Sequence, residues 1–258
     1  MLDEKMDDFY LTEKWLASYI EASWIDKCLD TKVNRPKSQN VPTQFIHSNY
    51  SVQAAQAIAK QLSEHHIKPE SLLEVGPACG RANYELVSSC EELKRVYVVE
   101  PSRRLLDAFT EILLTPGVSR FRAFEGEDVD LELDTNSLSN KYLPRVVETF
   151  NTPASDELTI SQCDLVVCLN VLDQCESPKQ VVDYLMSRVS IGGVLALSCT
   201  YQWSDKHLKV PSERINDINE YFDRTWQKLD DQEFEYRFRV NERYSMLFLS
   251  HTVIYQRL

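Results

Sequence analysis

The segment LLEVGPACGR, residues 72–81, holds the residue types and spacing most suggestive of chemistry. An apolar run stops at a turn containing Gly76 and Gly80, and a helix-forming stretch follows. Glycines permit tight backbone turns there, and the N-terminus of the next helix offers N–H groups to an anion. Glu100 closes the following apolar run, RVYVV, where a carboxylate can accept hydrogen bonds from both hydroxyls of a ribose. Turn, helix and acidic strand end in this order point to a nucleoside-containing cofactor. The GxGxxG of a dinucleotide site is missing, which disfavours a nicotinamide-dependent oxidoreductase.

Two more groups of polar residues stand at the ends of apolar runs. Asn170 and Asp173 follow CDLVVCL, and Tyr201 and Trp203 follow GGVLALSC. Ligands of open α/β sheets gather at such strand ends, so these four are pocket candidates. Blander roles compete: Asp173 as a helix cap, Tyr201 and Trp203 as hydrophobic cover. His65 and His66 are adjacent and cannot share a helix face, so they read as polar residues at a helix end, not a metal pair. His207 stands among charges and reads as solvated. The seven cysteines are odd in number and lack CxxC spacing; they read as small buried hydrophobes, with no disulfide framework or metal site.

The elements that must position these residues follow from the pattern of the chain. From residue 71 short apolar runs alternate with helical stretches: SLLEVG, RVYVVEP, FRAFEG, CDLVVCLNVL and GGVLALSCTY as strands, with helices between. Strand alternating with helix predicts a parallel doubly wound sheet. FEYRFRVN and SMLFLSHTVIYQ predict a closing β pair. Upstream, FYLTEKWLASYIEASW with Thr12 as a cap and VQAAQAIAKQLSEHH predict two helices, separated by a polar, proline-bearing connection. The polar stretch from Asp128 to Gln162 predicts an elaborated loop with a short helix around LPRVVETF, with Asp130 to Ser161 expected to act as a cover over the pocket.

The 258 residues are 43% hydrophobic and 26% charged, enough for a sizeable core and against global disorder. A net charge of −12 disfavours nucleic acid and anionic membranes and gives weight to small-molecule partners. No apolar run is long enough to span a bilayer and the N-terminus is acidic, so a cytoplasmic chain is expected.

Glu74 followed by Gly76, Ala78, Cys79, Gly80 and Arg81 resembles motif I of class I S-adenosylmethionine-dependent methyltransferases, with Ala78 in place of the middle glycine. The resemblance covers residues 71–258. It implies a Rossmann-like α/β fold: a mostly parallel seven-stranded sheet with an antiparallel C-terminal strand and an N-terminal helical lid. Residues 1–50 would form that extension and 51–258 the methyltransferase domain. It further implies S-adenosylmethionine as cofactor, held by the motif I residues, by Glu100 with Pro101 and Ser102, by Glu127 and Asp128 at the adenine, and by Asn170. A narrower resemblance, through FYLTEKWLASYI, LEVGPACGRANYELV, CLNVLDQCESPKQVVDYL, SCTYQWSDKHLKV and RVNERYSMLFLSHTVIYQR, is to the thiohistidine N-methyltransferase domain of ovothiol biosynthesis. That family methylates an imidazole nitrogen of 5-thiohistidine, usually fused behind an iron-dependent sulfoxide synthase, which would here be a separate partner. On this reading Asn170, Asp173 and Tyr201 are catalytic, and the substrate is bound by Tyr10, Asn49 and Tyr50 from the lid, by Trp203 as a wall for the ring, and by Glu242 and Arg243 at the amino-acid end. Another small-molecule acceptor, or a catalytically silent binding protein of the same fold, stays open.

Overall fold

In the computed structural model, which describes residues 13–29, 49–122, 130–203, 208, 210–241 and 244–258, two helices precede the sheet. They are α1 (Glu13–Trp24) and α2 (Tyr50–Glu64). β1 (Ser71–Val75), α3 (Arg81–Ser89), β2 (Arg95–Val99) and α4 (Arg103–Leu113) then follow the predicted alternation. β3 (Val118–Arg122), β4 (Asp130–Asp134), α5 (Thr135–Ser139) and β5 (Val146–Phe150) lead to β6 (Cys163–Leu169), α6 (Pro178–Arg188) and β7 (Val189–Cys199). The chain closes with β8 (Trp226–Asn241) and β9 (Tyr244–Arg257).

Seven strands make one sheet in the order β5-β2-β1-β6-β7-β9-β8, in which only β9 runs against its neighbours. β6 is central and its residues 165–168 are buried, as a continuous apolar run between helices on both faces must be. On one face Leu72, Val96 and Val167 pack with α2, α3 and α4; on the other Leu73, Val166 and Leu195 pack with α6 and the segment carrying Ile215 and Ile218. α4 shows how sequence selects the face. Leu105, Leu106, Phe109, Ile112 and Leu113 recur at helical spacing and are all buried, while the Ser102 hydroxyl caps the helix by accepting from the Leu105 N–H.

α1 is built into the core, with Ile20 and Trp24 fully buried. Its Trp15 and Tyr19 rings pack on Phe238 of β8 at centroid distances of 5.7 and 4.9 Å. Cys28 and Leu29 just beyond it bridge to β4.

Two expectations are corrected. The strand predicted at FRAFEG begins earlier, as β3, and pairs with β4 in a separate two-stranded sheet instead of joining the main one. The helix predicted around LPRVVETF is instead β5, the edge strand beside β2, within a stretch that is structured where a loop was expected. An edge strand with exposed Val146 and Glu148 shows no clean alternation, so its pairing register with β2 decides its state, and that register is a tertiary fact. Among the described residues no helix is long and apolar enough to cross a membrane.

Candidate functional site

β1 ends at Val75 and the chain turns through residues 76–80 at the carboxyl edge of the sheet. Gly76 adopts φ +69° and its N–H donates to the Val99 carbonyl at 2.8 Å, tying the turn to the end of β2. A Cβ at Gly76 would stand 2.3 Å from a Val171 methyl, so the turn lies directly against the end of β6. Gly80, φ +81°, precedes α3, and a Cβ there would meet Leu113 and Phe109 of α4 at 2.5 and 2.6 Å. Gly80 is thus required both by the left-handed backbone of the turn and by core packing beneath it. Ala78 accepts φ +50°, and the buried Cys79 gives its carbonyl to the Trp24 indole N–H at 2.9 Å.

Beside the turn, Glu100 follows β2. Its N–H donates to the Phe150 carbonyl of β5, and its buried carboxylate accepts the Ser102 N–H at 2.9 Å. The Asn151 amide, directly after β5, donates to the Glu100 and Pro101 carbonyls. Asn170, φ +55°, follows β6. Its Oδ1 lies 2.6 Å from Ser250 Oγ and 3.1 Å from Ser198 Oγ, and both hydroxyls surround the Tyr50 hydroxyl, at 3.1 and 2.6 Å. The buried Asn170 Nδ2 has no hydrogen-bond partner among the described residues. Burial raises the Tyr50 phenol above its ordinary range against the hydrogen bonds from Ser198 and Ser250, so it stays a neutral donor and acceptor.

The structure therefore brings Gly76, Ala78, Cys79, Gly80, Glu100, Pro101, Ser102 and Asn170 to one edge, with Tyr50 beneath Asn170. Other candidates serve elsewhere. Glu74 is buried against Asn83 (2.6 Å), which in turn accepts from Tyr142, and desolvation pushes Glu74 up to about 7 against the lowering effect of that bond. The Arg81 guanidinium turns away from the turn to clasp Asp26 and Glu85 and to lie over Trp24, which anchors α1; only its backbone is left to meet a ligand at the turn. The buried Asp173 accepts from Thr200 Oγ1 and the Gln202 N–H, holding the segment after β7. Asn49 is exposed, with its carbonyl accepting the Gln53 N–H at the start of α2. Tyr201 and Trp203 pack half-buried against the second core, and the Tyr201 hydroxyl meets His251.

Tyr10, Glu127, Asp128, His207, Glu242 and Arg243 lie outside the described residues. For Glu127 and Asp128 the supporting analogy changes, because β3, which leads to them, is outside the main sheet; the residue ending the strand beside β2 is followed by Asn151. Ser198, Ser250, His251 and Asn151 escaped the sequence reading. A signal existed for two of them, since the polar triplet SHT interrupts the apolar run of β9.

No protein-family model and no curated protein matches the sequence. Solved structures do match. Magnesium protoporphyrin IX methyltransferase from Synechocystis PCC 6803 superposes with a TM-score of 0.52 at 12% identity, over 99% of this chain and 100% of its own. The N-methyltransferase NodS from Bradyrhizobium japonicum gives 0.52 at 13% identity, over 85% and 93%. A Pyrococcus horikoshii protein assigned as an RNA methyltransferase gives 0.52 at 11%, over 88% and 92%. The chain has the class I methyltransferase fold. In that fold the sheet order, with its reversed strand next to the last, places the carboxyl ends of β1, β2 and β6 side by side, which is where the turn, Glu100 and Asn170 stand. Beside that seven-stranded sheet the chain carries the separate β3–β4 pair, which packs with α1.

Proposed function

We propose that the chain transfers a methyl group from S-adenosylmethionine to a small molecule, with the imidazole nitrogen of 5-thiohistidine as acceptor. The observation that carries the first part is the meeting of the glycine turn, Glu100 and the unpartnered Asn170 Nδ2 at one sheet edge. An orphaned buried donor stabilises the fold only when something accepts from it, and a polar group of a bound cofactor would do so. When bound, the cofactor supplies an electrophilic methyl on a sulfonium. Glu100 would receive the ribose hydroxyls, and the N–H groups after Gly76 would face its amino-acid end. The segment opening at Asn151 is the neighbour available to the adenine.

The thiohistidine acceptor rests on the narrower resemblance to the ovothiol N-methyltransferase domain. Tyr50, Ser198, Ser250 and Asn170 supply a buried polar floor beside the same edge, and Glu242 and Arg243 remain candidates for the amino-acid end. Methyl transfer is an in-line displacement, so the protein's work is positioning and exclusion of water. A separate iron-dependent sulfoxide synthase would supply the thiohistidine, and the charge of −12 favours a small acceptor over a nucleic acid.

Calorimetry with S-adenosylmethionine and its demethylated product, then mass spectrometry of mixtures with candidate acceptors, tests both parts. Methylation on ring nitrogen of 5-thiohistidine, weaker turnover of histidine and weaker still of thiol-bearing imidazoles without a carboxylate is expected. Cofactor binding with equal rates on all three, or methyl on sulfur, would return the acceptor to an unknown small molecule. No heat with either cofactor form would remove the methyltransferase reading.

A further inference from the structure

β8 and β9 run on past the carboxyl edge of the sheet. β7 ends at Cys199, which pairs with His251, so residues 244–250 of β9 and their partners in 234–241 of β8 project beyond it. Alternation divides this projection into two faces. Phe234, Tyr236, Phe248 and Ser250 share one, and Glu235, Leu247, Leu249 and His251 the other. Ser250 shows which face meets the site, because its Oγ lies 2.6 Å from Asn170 Oδ1 and 3.1 Å from the Tyr50 hydroxyl. Next along that face the Tyr50 ring stands 5.1 Å from Tyr236, and Tyr236 stands 5.8 Å from its cross-strand partner Phe248. The row continues to Phe238, 6.4 Å from Tyr236, where its role changes. Phe238 is 2% exposed against Trp15 and Tyr19 of α1 and serves packing, whereas Tyr236 and Phe248 stay partly exposed. Tyr201 and Trp203 pack on the opposite sheet face, against the core that holds Ile215 and Ile218, so neither is the wall beside Asn170.

We propose that Tyr236 and Phe248 are the wall of the methyl-acceptor subsite, and that the acceptor is a flat aromatic ring laid against them, carrying its nucleophilic atom at the rim. This rests on the methyl-transfer reading and deepens it. Position is the first argument. Phe248 stands two residues from Ser250, roughly 7 Å along an extended strand, which sets the wall about one ring's width from the Asn170 cluster. Shape is the second. The Tyr236 and Phe248 planes differ by only 31°, so the pair presents one broad face. Such a face suits a flat ring, which gains offset or edge-on contact beyond the apolar area it covers. An ammonium group is instead held by aromatic faces on several sides. A polar acyclic acceptor would leave the wall in water.

NMR titrations of the protein saturated with demethylated cofactor decide this. Imidazole and 5-thiohistidine serve as flat probes, and pyrrolidine as a puckered, cationic probe of the same ring size. Bound imidazole should give nuclear Overhauser effects to the Tyr236 and Phe248 ring protons. Tyr236→Leu and Phe248→Leu should each weaken both flat probes roughly tenfold while cofactor affinity stays within about twofold. Phe248→Tyr, which keeps the ring, should bind as wild type does, and so should Leu249→Ser on the other face of the strand. Pyrrolidine should bind more weakly than imidazole. Where a leucine variant loses the hairpin, seen as loss of cofactor binding, the Overhauser effects in the wild type decide. Equal affinity in wild type and both leucine variants, absence of those effects, tighter binding of pyrrolidine, or no binding of either flat probe overturns the wall, while cofactor binding keeps the methyl-transfer reading. Failure of the wild type to bind cofactor overturns both.

Discussion

Glu21 of α1 and Arg239 of β8 form a bidentate ion pair in which each side chain is only 2% exposed, with Nε–Oε1 at 2.5 Å and Nη2–Oε2 at 2.8 Å. It joins the first described helix to the last hairpin, across 218 residues. Breaking a buried pair from one side strands a charge, so Arg239→Met should cost about 3–5 kcal/mol in urea unfolding. Glu21→Leu combined with Arg239→Met should recover most of that loss. A single variant as stable as wild type would show that the pair contributes nothing.

Glu100→Ala should weaken S-adenosylmethionine binding by roughly tenfold to a hundredfold, about 1.5–3 kcal/mol, measured by calorimetry. Because the carboxylate also accepts the Ser102 N–H, a smaller stability loss is expected alongside. Binding as tight as in wild type would argue against a ribose role for this carboxylate.

Gly80→Ala should destabilise the protein even without cofactor. The added carbon meets Leu113 and Phe109 inside 3 Å, and the left-handed backbone disfavours any side chain. Overpacking and strain together amount to about 2–4 kcal/mol. Thermal scans of the cofactor-free variant check this; an unchanged midpoint with lost cofactor binding would instead support direct approach of the cofactor to Gly80.

Glu74 makes stability depend on pH in an unusual direction. Its folded value is raised to about 7 from 4.5, chiefly by desolvation. Below the unfolded value both states are protonated and the group contributes nothing. Between the two values the unfolded chain has released the proton and the folded one holds it, so stability falls as pH rises, and the penalty is complete above about 7. Glu74→Gln, which keeps an acceptor for Asn83, should leave stability near pH 4 unchanged and raise it by roughly 1–3 kcal/mol near pH 8. An equal shift at both pH values would place the effect in packing instead.

The alternating layers, the strand at the apolar run CDLVVCL, the closing β pair and the glycine turn before a helix are all legible in the sequence alone. Each is written in local periodicity and in residues with strong conformational preferences, and short range physics suffices to read it. That VVETF joins β2 while the strand at 118–122 leaves the sheet is not legible locally, because pairing partners distant in sequence set that choice. The tertiary structure also decides the roles of polar side chains. Arg81 and Asp173 looked available beside a turn and a strand end, yet Asp26 and Thr200, each far along the chain, satisfy them. Tyr50, Ser198, Ser250 and Asn170 converge from four elements, and Asp231, His251 and Tyr201 from three. A buried polar atom must find its partner wherever the fold presents one, and that partner is set by register and packing across the whole molecule.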